Sequence, residues 1–535
     1  MTPIFDLLLG KRVKEDTACY LKQLAGAPIR TSRQTATRIL GQLRSEPGPK
    51  VEFGDTLWDE SVSLPVMEIL KSHGLFTGGS GAGKTLASLL LIDALITLLP
   101  QTRNIGFGVV DVAKPDLFLG AIALLARRID YLAQIDPEAA EELRRRILIV
   151  DFSSRDPISP YNILRSWPNA EPDFFASNRA DLLLDLLPGG EKPSLAGYAL
   201  LQKTILLLCE CKAPVTLLSQ LLHDGELRSS LLSRCHNRSI REYFARHFSE
   251  IPKTTVAALS RRLDALLVSA GVRLTLSGST VPDFRCLQDD GAIVLVNCFG
   301  EYISSSVRRL LQCLVVSDIH SSVFRRQRRT SVLWFFDEAQ ALFSVQALRD
   351  HIDDLLRLSR SFGSHYLLIT QNLTASISDP RLLRIVSTNV KWSLSFRGEP
   401  SDCAFLKPAL PITGRKQQPQ WDPFQEKRFY SIAEERSMEL DSIAHLPDRV
   451  AYLWLRSRSP QAIKIKTREL AIPQGSDLVD VTNRIRRDPN IGNRLSLVDY
   501  ERTIAERDRQ WLVQPESDFG AALAEKFRKL RGAGA

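Results

Sequence analysis

Short, almost continuously apolar runs recur along the chain at residues 105–112, 147–152, 292–297, 332–336, 366–370 and 390–396. A strand with one wet face alternates apolar and polar positions; these runs largely do not. That is the pattern of central strands in a parallel sheet covered on both faces, and the amphipathic stretches between them supply the covering helices. The pattern predicts an α/β core. Between 166 and 285 the character changes, with leucines at helical spacing in 182–187, 200–208, 217–222 and 256–267 and no convincing strand. An all-α insertion is expected there.

The flanks complete the layout. Residues 1–50 read as helical and basic, ending at the breaker Pro47-Gly48-Pro49. Residues 416–535 read as a C-terminal extension with one strand at 450–455 and a charged helix around 495–509. The expected organisation is a helical N-terminal region (1–50), a core in two pieces (51–165 and 286–415), the all-α insertion (166–285) and the extension (416–535). Internal repeats and low-complexity segments are lacking.

The strongest chemical signal is Gly78-Gly79-Ser80-Gly81-Ala82-Gly83-Lys84-Thr85, which matches G-x-x-x-x-G-K-[ST] at every fixed position. Residues 74–77 can end a strand, and 86–99 can form the following helix, closed by Pro100. Glycines let backbone N–H groups converge on a phosphate without Cβ clashes, and the helix N-terminus adds partial positive charge. Lys84 then reaches the β- and γ-phosphates of ATP, and the Thr85 hydroxyl ligates Mg²⁺.

A second signal is the apolar run 331–336 ending in Asp337 and Glu338. Beside a phosphate loop, Asp337 orients Mg²⁺ and Glu338 polarises the attacking water as general base. The alternative is an Asp-Glu helix cap after a core strand. Gln371 ends another apolar run, where it can position water or report on the γ-phosphate; the alternative is a glutamine that merely starts a loop.

At 535 residues the chain exceeds one ordinary hydrophobic core, and 44% hydrophobic with 24% charged residues is a folded, soluble composition. The net charge of +9 favours a polyanion, nucleic acid ahead of a membrane surface, although a merely well-solvated basic face accounts for it too. Arg144-Arg145-Arg146 and Arg325-Arg326-Gln327-Arg328-Arg329 are candidate phosphate contacts, or else solvated loops before strands. A base-reading motif is lacking, so any such contact is to backbone. The eight cysteines include one close pair, Cys209 and Cys211, without zinc-site spacing, as in a reducing cytosol. The apolar run 86–99 holds Asp93 and falls short of the roughly 20 residues of a membrane helix.

Together these residues resemble the HerA/FtsK superfamily of ring-forming DNA motors, and within it type IV secretion coupling proteins of the TraD/TraG kind. The matching features run from about Val51 to Thr467. Leu64-Pro65 with His73-Gly74-Leu75-Phe76-Thr77 resembles the family's lead-in to its phosphate loop. Val110-Asp111-Val112-Ala113-Lys114 resembles its D-x-x-K turn, and Phe336-Asp337-Glu338-Ala339-Gln340 its F-x-D-E form. Asp151 with Ser159-Pro160-Tyr161-Asn162 resembles its "D … YNP" segment, with Ile163 where proline is usual.

The resemblance implies a RecA-like P-loop NTPase core, ATP and Mg²⁺ as cofactors, and a homo-hexameric ring on DNA. Relaxase or secretion-channel proteins are its further partners. Arg360 matches a family arginine that reaches a neighbour's nucleotide; Arg357 and Arg397 follow as candidates, and each is otherwise a surface or salt-bridge residue. The chain departs from coupling proteins in showing no N-terminal membrane helices. The expected location is therefore cytoplasmic, with peripheral contact at the inner face of a bacterial membrane as an option. The function implied is an ATP-driven DNA translocase of conjugation or type IV secretion. The alternatives are a HerA-like DNA-processing motor, a secretion ATPase for protein cargo and a nucleotide-gated adaptor.

Overall fold

The computed structural model describes residues 32–102, 104–165, 171–186, 194–278, 280–343, 345–377, 379–412, 416, 418, 429–492 and 495–511. Most of the expected N-terminal region, Cys19 included, lies outside them.

Among the described residues eleven strands form one sheet: β1 Lys50–Thr56, β2 Ser61–Pro65, β3 His73–Thr77, β4 Ile105–Asp111, β5 Ile147–Asp151, β6 Ile293–Asn297, β7 Ser331–Phe336, β8 Ser364–Thr370, β9 Val390–Ser395, β10 Val450–Leu455 and β11 Ile463–Thr467. Their spatial order is β2-β1-β11-β10-β9-β3-β8-β7-β4-β6-β5. The pairs from β9 to β6 are parallel. The wing from β2 to β9 is antiparallel. The continuous apolar runs became the parallel centre, where every residue of β3, β4, β6 and β8 is buried. Helices Lys84–Leu98 and Asp116–Ile135 bury their apolar faces in the same core as these strands.

The wing departs from expectation. β1, β2 and β11 stand where no strand was read, and 416–535 supplies two strands to the sheet instead of one. The cause is their alternation. Ile463-Lys464-Ile465-Lys466-Thr467 buries Ile463, Ile465 and Thr467 while its lysines reach toward solvent. A search for continuous apolar runs passes over such half-wet strands.

Close packing fixes the strand on which the phosphate loop is mounted. A Cβ on Gly74 in β3 would stand 2.3 Å from the Trp392 ring of β9, and the indole is itself buried. Gly74→Ala is expected to destabilise the protein by about 1–3 kcal/mol through overpacking, read as a lower urea midpoint at unchanged slope.

The chain divides into two compact units. The sheet unit holds the described residues up to Ile149, with Phe284–Phe299 and Val315–Gly492. The second unit holds Val150–Asp283, Gly300–Leu314 and the described residues after Asn493. Apart from the end of β5, its described residues are helical or irregular, with Pro172–Leu186, Leu195–Glu210, Lys253–Leu266 and Leu497–Trp511 among its longer helices. The division at Val150 precedes residue 166 because the segment after β5 packs on helix Ala270–Leu276. A Cβ on Gly271 would lie 2.7 Å from the Phe152 carbonyl oxygen. Among the described residues no helix is long and apolar enough to cross a membrane.

Candidate active site

β3 ends at Thr77 and the glycine-rich segment turns the chain into helix Lys84–Leu98. Three glycines take left-handed φ values: Gly78 at 145°, Gly81 at 74° and Gly83 at 119°. A side chain at those positions would be strained. The loop is held from outside by backbone: Gly79 N–H donates to Arg397 O at 2.6 Å, and Arg449 N–H donates to Ala82 O at 3.0 Å. Gly83 caps the helix without a side-chain hydrogen bond, so the first turn's N–H groups keep their capacity for an anion. Ser80 and Thr85 are exposed and Ala82 is buried. The Lys84 ammonium is buried and donates to Gly78 O at 2.6 Å and Gly79 O at 2.7 Å. Burial pushes the amine's pKa down, while the charges of Glu338 and Asp337 push it up. Those carboxylates therefore lie within electrostatic reach of the lysine.

The acidic pair sits at the tip of β7, where Asp337 N–H extends the ladder to Val110 O at 3.1 Å. β7 is not the immediate neighbour of β3. β8 lies between them, paired Phe76↔Ile369 on one side and Phe335↔Leu367 on the other. This interposition brings Gln371, one residue beyond β8, onto the acid. Its Nε2 donates to Glu338 Oε1, and Gln340 Nε2 donates to Glu338 Oε2. Glu338 itself holds a left-handed φ of 48°, an uncommon conformation for a side-chain-bearing residue. Burial pushes the Asp337 carboxyl up to about 7, the Glu338 charge adds to the effect and Lys84 opposes it. Asp111, at the tip of β4, is pushed well above the usual range by burial and then by Asp337.

These residues fit a magnesium nucleotide. The loop offers backbone donors and one ammonium to an anion. Asp111, Asp337 and Glu338 crowd carboxyl groups together with Lys84 within electrostatic reach, and Asp111 Oδ1 is buried without a partner. A divalent cation balances such a donor set, and oxygen ligands with a hydroxyl suit magnesium. Thr85 and Asp337 are the residues that would hold it, with Asp111 behind them.

Neither a protein-family model nor a curated protein matches the sequence. Solved structures do. The chain is similar to the bacterial conjugative coupling protein TrwBdeltaN70 in complex with sulphate, at 14% identity over 84% of this chain and 98% of that one, with a TM-score of 0.48. VirB4 of Thermoanaerobacter pseudethanolicus aligns at 14% identity over 79% of this chain and 98% of its own, with a TM-score of 0.49. The plasmid coupling protein TrwB in complex with a non-hydrolysable ATP analogue aligns at 15% identity over 84% and 98%, with a TM-score of 0.47. At this identity the likeness is one of fold alone.

The arginine candidates fall in three places. Arg397 stands beside its own phosphate loop and pairs with Asp448 at 2.8 Å. Arg357 pairs with Asp353 at 2.7 Å on helix Gln346–Leu358, the salt-bridge alternative. Arg360 is within electrostatic reach of His73 and His365, at the amino ends of β3 and β8, and the phosphate loop leaves β3 at its carboxyl end. It is remote from its own chain's site.

The basic clusters serve neither expected purpose as wholes. Arg146 is buried and donates to the carbonyls of Leu99, Thr102, Ile105 and Gly291. Arg326 is bound by Asp289 at 3.1 Å and by Ser364 Oγ at 3.0 Å, with its side chain 1% exposed. Each cluster hides a structural pin inside a basic run, while Arg145 and Arg328 remain exposed. The site residues missed as such were Asp111 and the loop-holding backbones of Arg397 and Arg449. Arg449's φ of 66° has no local sequence signal.

Proposed function

We propose that this protein is a magnesium-dependent ATPase that moves DNA, as a coupling protein of conjugative transfer or type IV secretion, in a homo-hexameric ring. The observation that carries the hydrolytic part is Glu338. Both of its carboxylate oxygens are held by amides from Gln340 and Gln371, within reach of Lys84. A carboxylate oriented at that point is placed to take the proton of the water attacking the γ-phosphate. Gly78 to Thr85 cradle the phosphates, and Lys84 with the loop amides takes up charge developing on them. Thr85 and Asp337 would hold magnesium, which would supply charge neutralisation to the phosphates. Arg360, remote from its own site, serves the nucleotide of the next subunit, which requires a head-to-tail ring. An adaptor that seldom turns over has no use for so constrained a base.

The DNA part is supported by the net charge of +9, the exposed arginines of the basic runs and the motif resemblance. Backbone contact implies steep salt dependence. Steady-state phosphate release is expected to rise on adding random-sequence DNA, and the stimulation is expected to fade as salt is raised. No turnover sinks the enzyme reading. Turnover indifferent to DNA but raised by secreted proteins replaces the DNA with protein cargo.

A further inference from the structure

Gln371 stands one residue past the end of β8, beyond the last residue that the strand's ladder holds in place. The chain then makes a single helical turn, Leu373–Ser376. Asn372 is the N-cap of that turn, yet its side chain makes no cap hydrogen bond. The acceptor comes from elsewhere in the sequence. Asp402 Oδ1 accepts both the Thr374 N–H, at 2.6 Å, and the Thr374 hydroxyl, at 2.6 Å. Asp402 lies in the helical segment Pro400–Ala409 and is 4% exposed. Two short bonds from one residue to one carboxylate oxygen fix the direction of the turn as well as its place.

The segment that carries Asp402 also touches the strand beneath the phosphate loop. Cys403 Sγ lies 3.6 Å from Thr77 Oγ1, and Thr77 is the residue before Gly78. Thr77 Oγ1 donates in turn to Ser395 Oγ at 2.9 Å, and Thr77 pairs in register with Ser395 on one side and Thr370 on the other. Asp402 therefore grips the turn after β8 while its neighbour in sequence rests against the end of β3. Gln371 precedes Thr374 by three residues, and its Nε2 donates to Glu338 Oε1. A hydrogen bond weakens steeply as its angle and length depart from the optimum, so a shift of the Thr374 turn is felt at that amide.

We infer that Asp402 is a positioning residue for the hydrolytic carboxylate: by holding the Thr374 turn it keeps the Gln371 amide on Glu338, and its effect on turnover passes through Gln371. The inference rests on the reading of Glu338 as general base.

Steady-state phosphate release by variants of the full chain tests it. Gln371→Ala is expected to lower kcat about 10-fold, the value of a hydrogen bond to a charged group, with KM for ATP within about two-fold. Asp402→Ala is expected to lower kcat about 5-fold, again at nearly constant KM, because the amide is displaced but still present. The double variant is expected to be no slower than Gln371→Ala alone, since the aspartate then has nothing left to position. Asp402→Asn keeps Oδ1 as an acceptor for both donors and is expected to recover most of the rate. Thr374→Val loses the hydroxyl but keeps the N–H, and its kcat is expected to fall between those of wild type and Asp402→Ala.

A wild-type kcat for Asp402→Ala, a change in KM alone, or an Asn variant as slow as Ala would overturn the proposal. So would a double variant in which the two losses multiply, the result of a cap that only stabilises the fold. Gln371→Ala turning over at the wild-type rate overturns it too, while leaving the base role of Glu338 to stand on Glu338→Gln. An unmodified protein without turnover strikes the ATPase reading and the inference with it. Should Asp402→Ala not fold, Thr374→Val with and without Gln371→Ala decides by the same comparison.

Discussion

Glu338→Gln lowers kcat for ATP hydrolysis by about 10³-fold and leaves ATP bound, because general-base catalysis is worth on the order of 10²–10⁴ and the substitution removes only the base. The side chain keeps its size. It retains one acceptor oxygen, so Gln340 or Gln371 can still hold it while the other amide turns. The phosphate loop is untouched, since its contacts run to Arg397 and Arg449 and to Lys84's own loop carbonyls. Lys84→Ala provides the contrast: nucleotide affinity and turnover fall together, because the ammonium is the loop's own charge toward the phosphates. Phosphate release under steady-state conditions, with binding of a fluorescent ATP analogue alongside, separates the two. Turnover of Glu338→Gln at the wild-type rate removes the base role and with it the motor.

The candidate site was legible because its pieces are local. Gly78 to Thr85 form a contiguous signature, and two of its three glycines at left-handed φ, Gly78 and Gly83, stand at the motif's fixed positions. The tips of β7 and β8 were legible as apolar runs ending in polar residues. What could not be read was order in space. Nothing in residues 331–338 reveals that β8 intervenes between β7 and β3, although that placement is what puts Gln371 on Glu338. Three strands of the antiparallel wing, β1, β2 and β11, were invisible for a different reason: Lys464 and Lys466 interrupt β11, and Gly54 bends the pairing of β1 with β2. The loops that grip the phosphate loop, around Arg397 and before β10, act through backbone atoms, which side-chain identity does not record.

Arg146 illustrates the same limit and carries the other large expectation. Read in sequence, it is the last of three arginines and a candidate for phosphate contact. In the fold its guanidinium, 8% exposed with the rest of the residue, donates to Leu99 O at 2.7 Å, Thr102 O at 3.0 Å, Ile105 O at 2.5 Å and Gly291 O at 2.6 Å. It thereby ties the end of the helix after the phosphate loop to the start of β4 and to the turn before β6. Arg146→Met keeps the aliphatic bulk and leaves those carbonyls short of a donor. Buried acceptors without partners cost about 1–3 kcal/mol each, and the losses are not additive, so the expected destabilisation is about 3–5 kcal/mol. Arg145→Ala is the control: its side chain is 69% exposed and holds Glu141 only at 3.6 Å, so its stability is expected to stay within about 0.5 kcal/mol of wild type. Urea midpoints of both variants test this, with DNA affinity measured at temperatures where each remains folded. An Arg146→Met protein that unfolds at the wild-type midpoint but binds DNA weakly would return that arginine to the phosphate backbone and contradict the buried pin.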